Sequence, residues 1–386
     1  MGFTDVLWWM AAAALVVPAH AAAFRRGGAW LASLVCGDLV AIALVAIAAT
    51  SEPTYGSLAE EDGVIEWATT FAFLGAALFF VSTLRRPAPW LERVVRVGLA
   101  LFCVVVAGEE ISWGQRLVGF QPPELFLERN FQQELNLHNI LMDENASGLG
   151  FEIESKHLVI AIALAFGLLG PLLVRWRPLV ALAALAPPAA LAPLFVAVAA
   201  AQATYPVELT GEGAEMVLGF LFLGAAASGR GGRAVVLSTA ATLCVAVVTA
   251  PLLARLVYGS DEDGIAKTRV EVETLARDLT AGVLPKVHTK SSIHKRVFTA
   301  TRDGYYELDG GEFISGGDSA KERDRSRRRY FLDPWNNPYW VYVERSKRRV
   351  VVYSFGPNRK RDSEVKERDG VRGDDVAVEV ELPERR

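Results

Sequence analysis

Long runs of apolar residues alternate with short polar segments along the first two thirds of the chain. Each run is roughly 18–25 residues long, which is enough for a helix to cross the ~30 Å hydrocarbon core of a bilayer. Eight spans are predicted, at about residues 5–24, 29–50, 63–83, 97–116, 157–174, 178–202, 213–228 and 233–257. After about residue 258 the chain becomes charged and rich in turn residues. The pattern predicts a membrane all-α bundle over residues 1–258 and a small α+β domain over residues 259–386.

Composition agrees with this division. Hydrophobic residues make up 52% of the 386 residues, and 26 of the 40 Lys and Arg lie after residue 258, so the net charge of −4 conceals two different halves. The three cysteines, Cys36, Cys103 and Cys244, lie far apart in apolar runs. This placement favours buried thiols over a zinc cluster or a disulfide framework.

The basic residues indicate an orientation in the membrane. Every second connecting segment is basic, and these segments carry Arg25 and Arg26, then Arg85, Arg86, Arg93 and Arg96, then Arg175 and Arg177, then Arg230 and Arg233. The segments "SEPTYGSLAEEDG" and "ATYPVELTGEGAE" between them contain no Lys or Arg. The positive-inside rule then places both termini outside the cytoplasm of a bacterial inner membrane. The alternative, a signal peptide cleaved after "VPAHA", is disfavoured by Asp5 and by the absence of basic residues before it.

Acidic residues gather at the outer ends of the predicted spans. Span 4 starts inside near Val97, so Glu109 and its neighbour Glu110 in "GEEISWGQR" lie about 18 Å along it. Glu66 is near the outer start of span 3, His138 lies in the long outer connection, and Glu212 and Glu215 are at the outer start of span 7. Charged groups at membrane depth usually face a bundle interior or an aqueous cavity. We therefore take as the candidate catalytic site Glu66, Glu109, Glu110 and His138.

The spacing within span 4 leaves the partners of the two adjacent glutamates open. On a continuous helix Glu109, Ser112 and Arg116 share one face, so that Arg116 could neutralise Glu109 while Glu110 needs another partner. A pocket of this kind suits acid–base chemistry or cation binding. Carboxylates and tryptophans near a membrane surface can also simply reach water.

The motifs "EDGVIEW", "GEEISWGQR" and "ELNLHN", in this order, resemble a family of bacterial multi-pass membrane proteins over residues 60–140. The resemblance implies that these residues form one site, without supplying a reaction. Three functions stay open: a cell-envelope protein with an outer polar site, an intramembrane metal-assisted hydrolase or lipid-modifying enzyme, and a proton- or ion-coupled transporter. In the enzyme, Glu109, Glu110 and His138 would hold a metal or act as acid and base.

The pattern after residue 258 predicts one helix and a hairpin. Helical spacing runs through "GIAKTRVEVETLARDLTAG", and the β-branched, aromatic runs "YWVYVE" and "RVVVYSF" are joined by the polar "RSKR". A helix packed on an antiparallel sheet is the expected fold. Basic runs such as "RSRRRY" are balanced by acidic residues, 26 against 24 after residue 258, so no nucleic-acid partner is expected.

The motifs "LDPWNNPY", "YSFGPN" and "GDD" resemble the carboxy-terminal domain of the type II secretion system protein G, the major pseudopilin. The resemblance implies an extracytoplasmic domain with envelope or secretion-system partners. It also implies a calcium ion held by Asn358, Asp374 and Asp375, whose oxygens suit that cation. A pseudopilin carries its hydrophobic helix at the mature amino terminus, whereas span 8 follows seven others here. A reused module is therefore expected rather than a subunit that polymerises.

Overall fold

The computed structural model describes residues 3–59, 62–118, 123, 126, 135–137, 155–207, 209–258, 261–281, 333–335, 339–344, 349–357, 362, 371 and 373–381. The chain forms two compact units. The first comprises Met1–Gln115 and Pro123–Ala254, and the second comprises Arg116–Pro122 and Arg255–Arg386.

The first unit is helical. Its helices are α1 Phe3–Arg26, α2 Gly28–Thr50, α3 Glu52–Ala59, α4 Val64–Thr83, α5 Trp90–Glu110, α6 Gln115–Val118 (which runs on into the second unit), α7 Ser155–Ile162, α8 Gly170–Leu173, α9 Ala192–Thr204, α10 Thr210–Ser228 and α11 Gly232–Tyr258. A π-helix, Ala163–Leu169, joins α7 to α8 into one rod. Short 3₁₀ turns occupy Ser112–Gly114, Arg177–Leu182 and Ala189–Leu191.

Eight spans are predicted from the sequence, and five helices in the described part of the chain are long and apolar enough to cross a membrane. They are Asp5–Arg26, Gly28–Thr50, Val64–Thr83, Lys156–Leu173 and Gly232–Leu256. Large apolar side chains such as Leu39, Ile42 and Val45 on α2 are exposed on the surface of the unit, where lipid would cover them. The chain is therefore a multi-pass membrane protein that contacts the bilayer. Helices α5 and α10 lie in the same bundle and carry ionisable residues near their ends.

The prediction of one continuous span over residues 178–202 is wrong. A 3₁₀ turn ends at Leu182, and α9 begins only at Ala192, leaving 13 residues of α-helix. Between them lie Pro187 and Pro188. Proline has no amide hydrogen to donate and disfavours helical geometry in the residue before it, so two in succession stop a helix.

A layer of aromatic rings holds the bundle together. The Phe73 ring on α4 lies 5.5 Å from Phe222 on α10, and Phe166 stacks on Phe222 at 4.2 Å between centroids. Phe102 on α5 completes the contact, 6.4 Å from Phe73. Gly167 in the π-helix has no room for a side chain, since a Cβ there would lie 1.9 Å from Cγ of Phe195.

The second unit is a helix with an antiparallel sheet. Helix α12, Asp261–Ala281, is followed by β1 Trp340–Glu344, β2 Arg349–Ser354 and β3 Val376–Glu381, in the order β1-β2-β3. The register pairs Val341 with Val352, and Val352 with Val378. The predicted hairpin and helix are confirmed, whereas β3 was not predicted. Helix α12 packs on β2 and β3.

The "DPW" motif ties a turn to the sheet. Asp333 is fully buried, and its carboxylate accepts hydrogen bonds from the Trp335 amide at 3.0 Å and from the Ser354 hydroxyl at 2.7 Å. The Tyr339 hydroxyl donates to Glu271 on α12. These contacts link the motif both to β2 and to the helix.

Candidate functional site

Three helix ends bring four carboxyl groups together at one end of the bundle. Glu66 is in the first turn of α4, Glu110 is the last residue of α5, and Glu212 and Glu215 lie near the start of α10. Carboxylate atoms of Glu110, Glu212 and Glu215 all lie within 4.8 Å of one another. Glu110 also interacts electrostatically with Glu66 and is hydrogen-bonded to Glu215. We call these four residues the acidic cluster.

The aromatic layer explains why the cluster forms. Glu66 lies seven residues before Phe73, Glu215 seven residues before Phe222, and Glu110 eight residues after Phe102. At about 1.5 Å per residue, each glutamate lies about 10–12 Å, or two helical turns, from the phenylalanine on the same helix. Because these three phenylalanines pack together, the three glutamates meet at the same level.

Backbone and side-chain donors hold two of the carboxylates in place. The Asp62 amide donates to Glu66 at 2.6 Å. The Gln202 side chain, which is buried, donates to Glu215 and to the Gly211 carbonyl, both at 3.3 Å. The first contact comes from the turn before α4, and the second comes from the last turn of α9.

Tyr55 on α3 covers the start of α10. Its hydroxyl donates to the Leu209 carbonyl at 3.0 Å, and a Cβ on Gly213 would lie only 2.5 Å from the hydroxyl oxygen. Burial raises the pKa of Tyr55 to about 12, with further contributions from the nearby Glu212 and Tyr205. The hydroxyl therefore stays neutral and donates at any physiological pH.

Glu109, the neighbour of Glu110, has a different role. Its carboxylate accepts from the Trp113 indole at 2.9 Å and from the Leu137 amide. The Gln115 side chain accepts from the Leu135 backbone amide at 2.7 Å, and the Asn136 side-chain amide (Nδ2) donates to the Ser112 hydroxyl at 3.2 Å. Glu109 thus helps to anchor residues 135–137, the described part of "ELNLHN".

The predicted helical face of Glu109, Ser112 and Arg116 is wrong. Helix α5 ends at Glu110, and Ser112, Trp113 and Gly114 have φ values of +46°, +54° and +74°. These positive φ values belong to the left-handed region, which a right-handed helix does not use. The chain therefore leaves the direction of α5 after Glu110, and the spacing of a continuous helix no longer applies. The Arg116 side chain lies outside the described residues.

Among the residues that the sequence assigns to the site, the structure brings Glu66 and Glu110 together. The Glu109 carboxylate instead accepts hydrogen bonds from Trp113 and from the Leu137 amide. His138 lies outside the described residues, and its place beside the glutamates stays a prediction. The sequence places Glu212 and Glu215 at the outer end of a span but does not assign them to the site, since about a hundred residues separate them from Glu110.

A second acidic group lies in the carboxy-terminal unit. Ligand atoms of Asp362, Asp374 and Asp375 are within 4.8 Å of one another, and this triad could hold a metal ion. The Asp362 amide donates to Asp375 at 3.2 Å. Gly356, with φ +70°, lies against the Asp374 carbonyl, where a Cβ would be only 2.1 Å from the oxygen. The sequence did not identify Asp362, and Asn358 lies outside the described residues.

The oxygen donors of this triad suit calcium. We expect millimolar Ca²⁺ to raise the melting temperature of the full chain in detergent, because a ligand bound to the folded state stabilises it by about 2.7 kcal/mol at 100 times its Kd. Asp374→Ala combined with Asp375→Ala should remove the part of the rise that belongs to the unfolding of the carboxy-terminal unit. Thermal unfolding with and without Ca²⁺ measures it, and identical curves for the unsubstituted chain would refute calcium binding.

The fold and the site define a class: a multi-pass membrane protein with an acidic cluster at one end of its bundle, followed by a small unit whose described residues include a helix and an antiparallel sheet. A scan against protein-family models found no match, and searches of curated proteins and of solved structures found none either. Both family resemblances therefore stay proposals.

Proposed function

We propose that the chain is a multi-pass protein of the bacterial inner membrane whose acidic cluster binds a cation on the extracytoplasmic side. The observation that carries this proposal is the meeting of Glu110, Glu212 and Glu215, from two different helices, within 4.8 Å. Glu66 adds a fourth carboxyl group from a third helix. The orientation rests on the alternation of basic and non-basic connecting segments.

Electrostatics favours an ion at this position. Two carboxylates 4–5 Å apart repel, and the repulsion grows in a medium of low dielectric constant. A bound cation would attract all four groups at once. It would be the largest local charge in the site.

The carboxy-terminal unit completes the proposal as an extracytoplasmic domain of the type II secretion protein G type. Its support is the "LDPWNNPY" motif, whose Asp333 and Tyr339 connect the turn to the sheet and to α12. A helix on an antiparallel sheet agrees with the expected fold. Envelope or secretion-system proteins are the partners that we propose for it.

A metal-assisted hydrolase is the second candidate function. Ser112 and Trp113, with φ +46° and +54°, follow almost directly after Glu110. Residues in sparsely populated backbone regions cost about 1–3 kcal/mol each and cluster at active sites. A cation in the acidic cluster could then activate a water molecule or polarise a carbonyl group.

Cysteine labelling tests the orientation on which the proposal depends. We expect a membrane-impermeant maleimide to label Ser57→Cys and Ser319→Cys in intact spheroplasts, and to label Gly231→Cys only after lysis. Ser57 lies on α3, close in sequence to Glu66, so it reports the side on which the acidic cluster opens. Labelling of Gly231→Cys in intact cells, with Ser57→Cys and Ser319→Cys protected, would reverse the orientation.

A further inference from the structure

Arginines gather where α4 and α10 end, which is the opposite end of these two helices from the acidic cluster. Residues 78–96 and 224–237, all of them described, contain six arginines, no lysine and one acidic residue, Glu92. Glu92 is buried and paired with Arg96, whose Nη1 also donates to the Thr83 carbonyl at 2.5 Å. This acid and this arginine are therefore engaged inside the protein, and the surface that these two segments present is positive.

Arg230 is held in a fixed position beside the end of α4. Its Nη2 donates to the Ser82 hydroxyl at 2.6 Å, and its guanidinium carbon lies 5.5 Å from the centre of the Phe79 ring. The residue is exposed, and the described residues take up one of its five N–H donors. The guanidinium group is thus positioned in advance, with donors left for a ligand at the surface.

Arg85 lies on the same side of α4 as Ser82. The Arg86 amide donates to the Thr83 carbonyl at 3.0 Å, so a 3₁₀-type turn continues the chain past the last residue of the helix. Side chains three residues apart are aligned in such a turn, which places Arg85 directly beyond Ser82 and therefore near Arg230. Arg85 is exposed as well. Two guanidinium groups, one from each chain segment, consequently flank one position on the surface.

Apolar side chains that lipid would cover lead up to this position. Leu78 and Val81 on α4 are 70% and 50% exposed. Leu78 is followed by Val81, Ser82 and Arg85 at distances of three, four and seven residues, so these side chains lie on one face of the helix and its last turn. The face is apolar within the span and basic at its end. A phospholipid is divided in the same way between its acyl chains and its headgroup.

The chemistry of this surface favours an anionic phospholipid. The planar guanidinium group binds two oxygens of a phosphate at once, whereas lysine would be sufficient for a bias of charge alone. A zwitterionic headgroup also carries an ammonium group, which needs a carboxylate as partner. The one carboxylate of residues 78–96 and 224–237 is buried beside Arg96. Basic pockets between membrane helices are known sites for anionic headgroups.

We infer that Arg85 and Arg230 bind the phosphate of one anionic phospholipid, with an acyl chain along Leu78 and Val81. The hydrogen bond from Arg230 to Ser82 lowers the cost of binding, because the guanidinium group is already ordered before the lipid arrives. This site lies at the other end of α4 from the acidic cluster and does not depend on the proposed function.

Native mass spectrometry of the full chain in detergent tests the inference, with titrations of phosphatidylglycerol and of phosphatidylethanolamine that carry the same acyl chains. We expect the first phosphatidylglycerol to bind more tightly than the first phosphatidylethanolamine. Arg85→Gln combined with Arg230→Gln should raise the Kd for phosphatidylglycerol about 30-fold, since each arginine near an anionic headgroup contributes about fivefold. Replacing both residues by lysine keeps the charges without the planar fork and should give an intermediate Kd.

Arg175→Gln combined with Arg177→Gln is the matched control, because it removes the same charge from another exposed basic segment. It should change the Kd for phosphatidylglycerol by less than about threefold. If the loss of the contact with Ser82 destabilises the Arg230 variant, Arg85→Gln alone decides the question and should raise the Kd about fivefold.

Three results would overturn the inference. Equal weakening in the two double Gln variants would show a diffuse attraction rather than a site. Equal Kd values of the unsubstituted chain for the two lipids would exclude selection of an anionic headgroup. Displacement of phosphatidylglycerol by millimolar inorganic phosphate would show that a soluble phosphate, not a lipid, satisfies the two arginines.

Discussion

Glu110→Gln is expected to remove the stabilisation that a bound cation gives to the first unit, which we call the membrane unit. Glu109→Gln should retain this stabilisation. The Glu110 carboxyl lies among three other carboxyl groups, so replacing it takes away a ligand and leaves weaker attraction for the ion. Breaking a buried charge pair costs about 3–5 kcal/mol, which corresponds to a loss of affinity of about 100-fold or more. Thermal unfolding of the full chain over a Mn²⁺ titration measures the effect.

Glu109→Gln is the control, because it should change the stability of the protein without removing a ligand of the cation. Glu109 accepts hydrogen bonds from Trp113 and from the Leu137 amide, so Glu109→Gln should lower the stability of the metal-free protein by about 1–3 kcal/mol. In the metal-free state Glu110→Gln should instead stabilise the fold, since it relieves repulsion. The reverse outcome, with the Mn²⁺ response lost in Glu109→Gln and kept in Glu110→Gln, would contradict the division of roles.

The second large effect is expected at Asp333. Asp333→Ala leaves the Trp335 amide and the Ser354 hydroxyl without their acceptor inside the carboxy-terminal unit. A hydrogen bond to a charged group contributes about 1.5–3 kcal/mol, so the loss of two should cost about 3–5 kcal/mol. The free energy of unfolding of a native protein is only about 5–15 kcal/mol, so this loss is a large fraction of it. We expect the unit to become sensitive to protease while the membrane unit remains intact.

Limited proteolysis followed by mass spectrometry checks this result, with cleavage sites after residue 258 as the readout. Asp333→Asn retains one carbonyl oxygen and should fall between the unsubstituted chain and Asp333→Ala. A proteolysis pattern for Asp333→Ala that matches the unsubstituted chain would show that the "DPW" turn does not hold the unit together.

Sequence periodicity was sufficient for the elements that form locally. Apolar runs identified α1, α2, α4 and α11 because a membrane helix must satisfy its own backbone and present apolar residues along its whole length. The hairpin of β1 and β2 followed from two β-branched runs around a polar turn. The break at Pro187 and Pro188 was also visible in the sequence, and hydropathy alone concealed it because proline interrupts a helix without making the run polar.

Which residues meet at the site could not be predicted without knowing how the helices of the bundle pack. Glu66, Glu110 and Glu215 meet because Phe73, Phe102 and Phe222 pack together two turns away, and no local pattern gives that alignment. The different directions of Glu109 and Glu110 depend on where α5 ends. Helix ends are decided by the following residues, here the left-handed turn from Ser112 to Gly114, rather than by hydropathy.

The stoichiometry of bound Mn²⁺ tests the central claim most directly. The full chain with Asp374→Ala and Asp375→Ala, dialysed to saturation against Mn²⁺ and analysed by plasma mass spectrometry, should retain about one ion per chain through the acidic cluster. Adding Glu110→Gln and Glu215→Gln to the same background should reduce the bound Mn²⁺ to the level of the buffer. Equal amounts of Mn²⁺ in the two proteins would contradict the account, because the ion would then be held by residues outside the cluster.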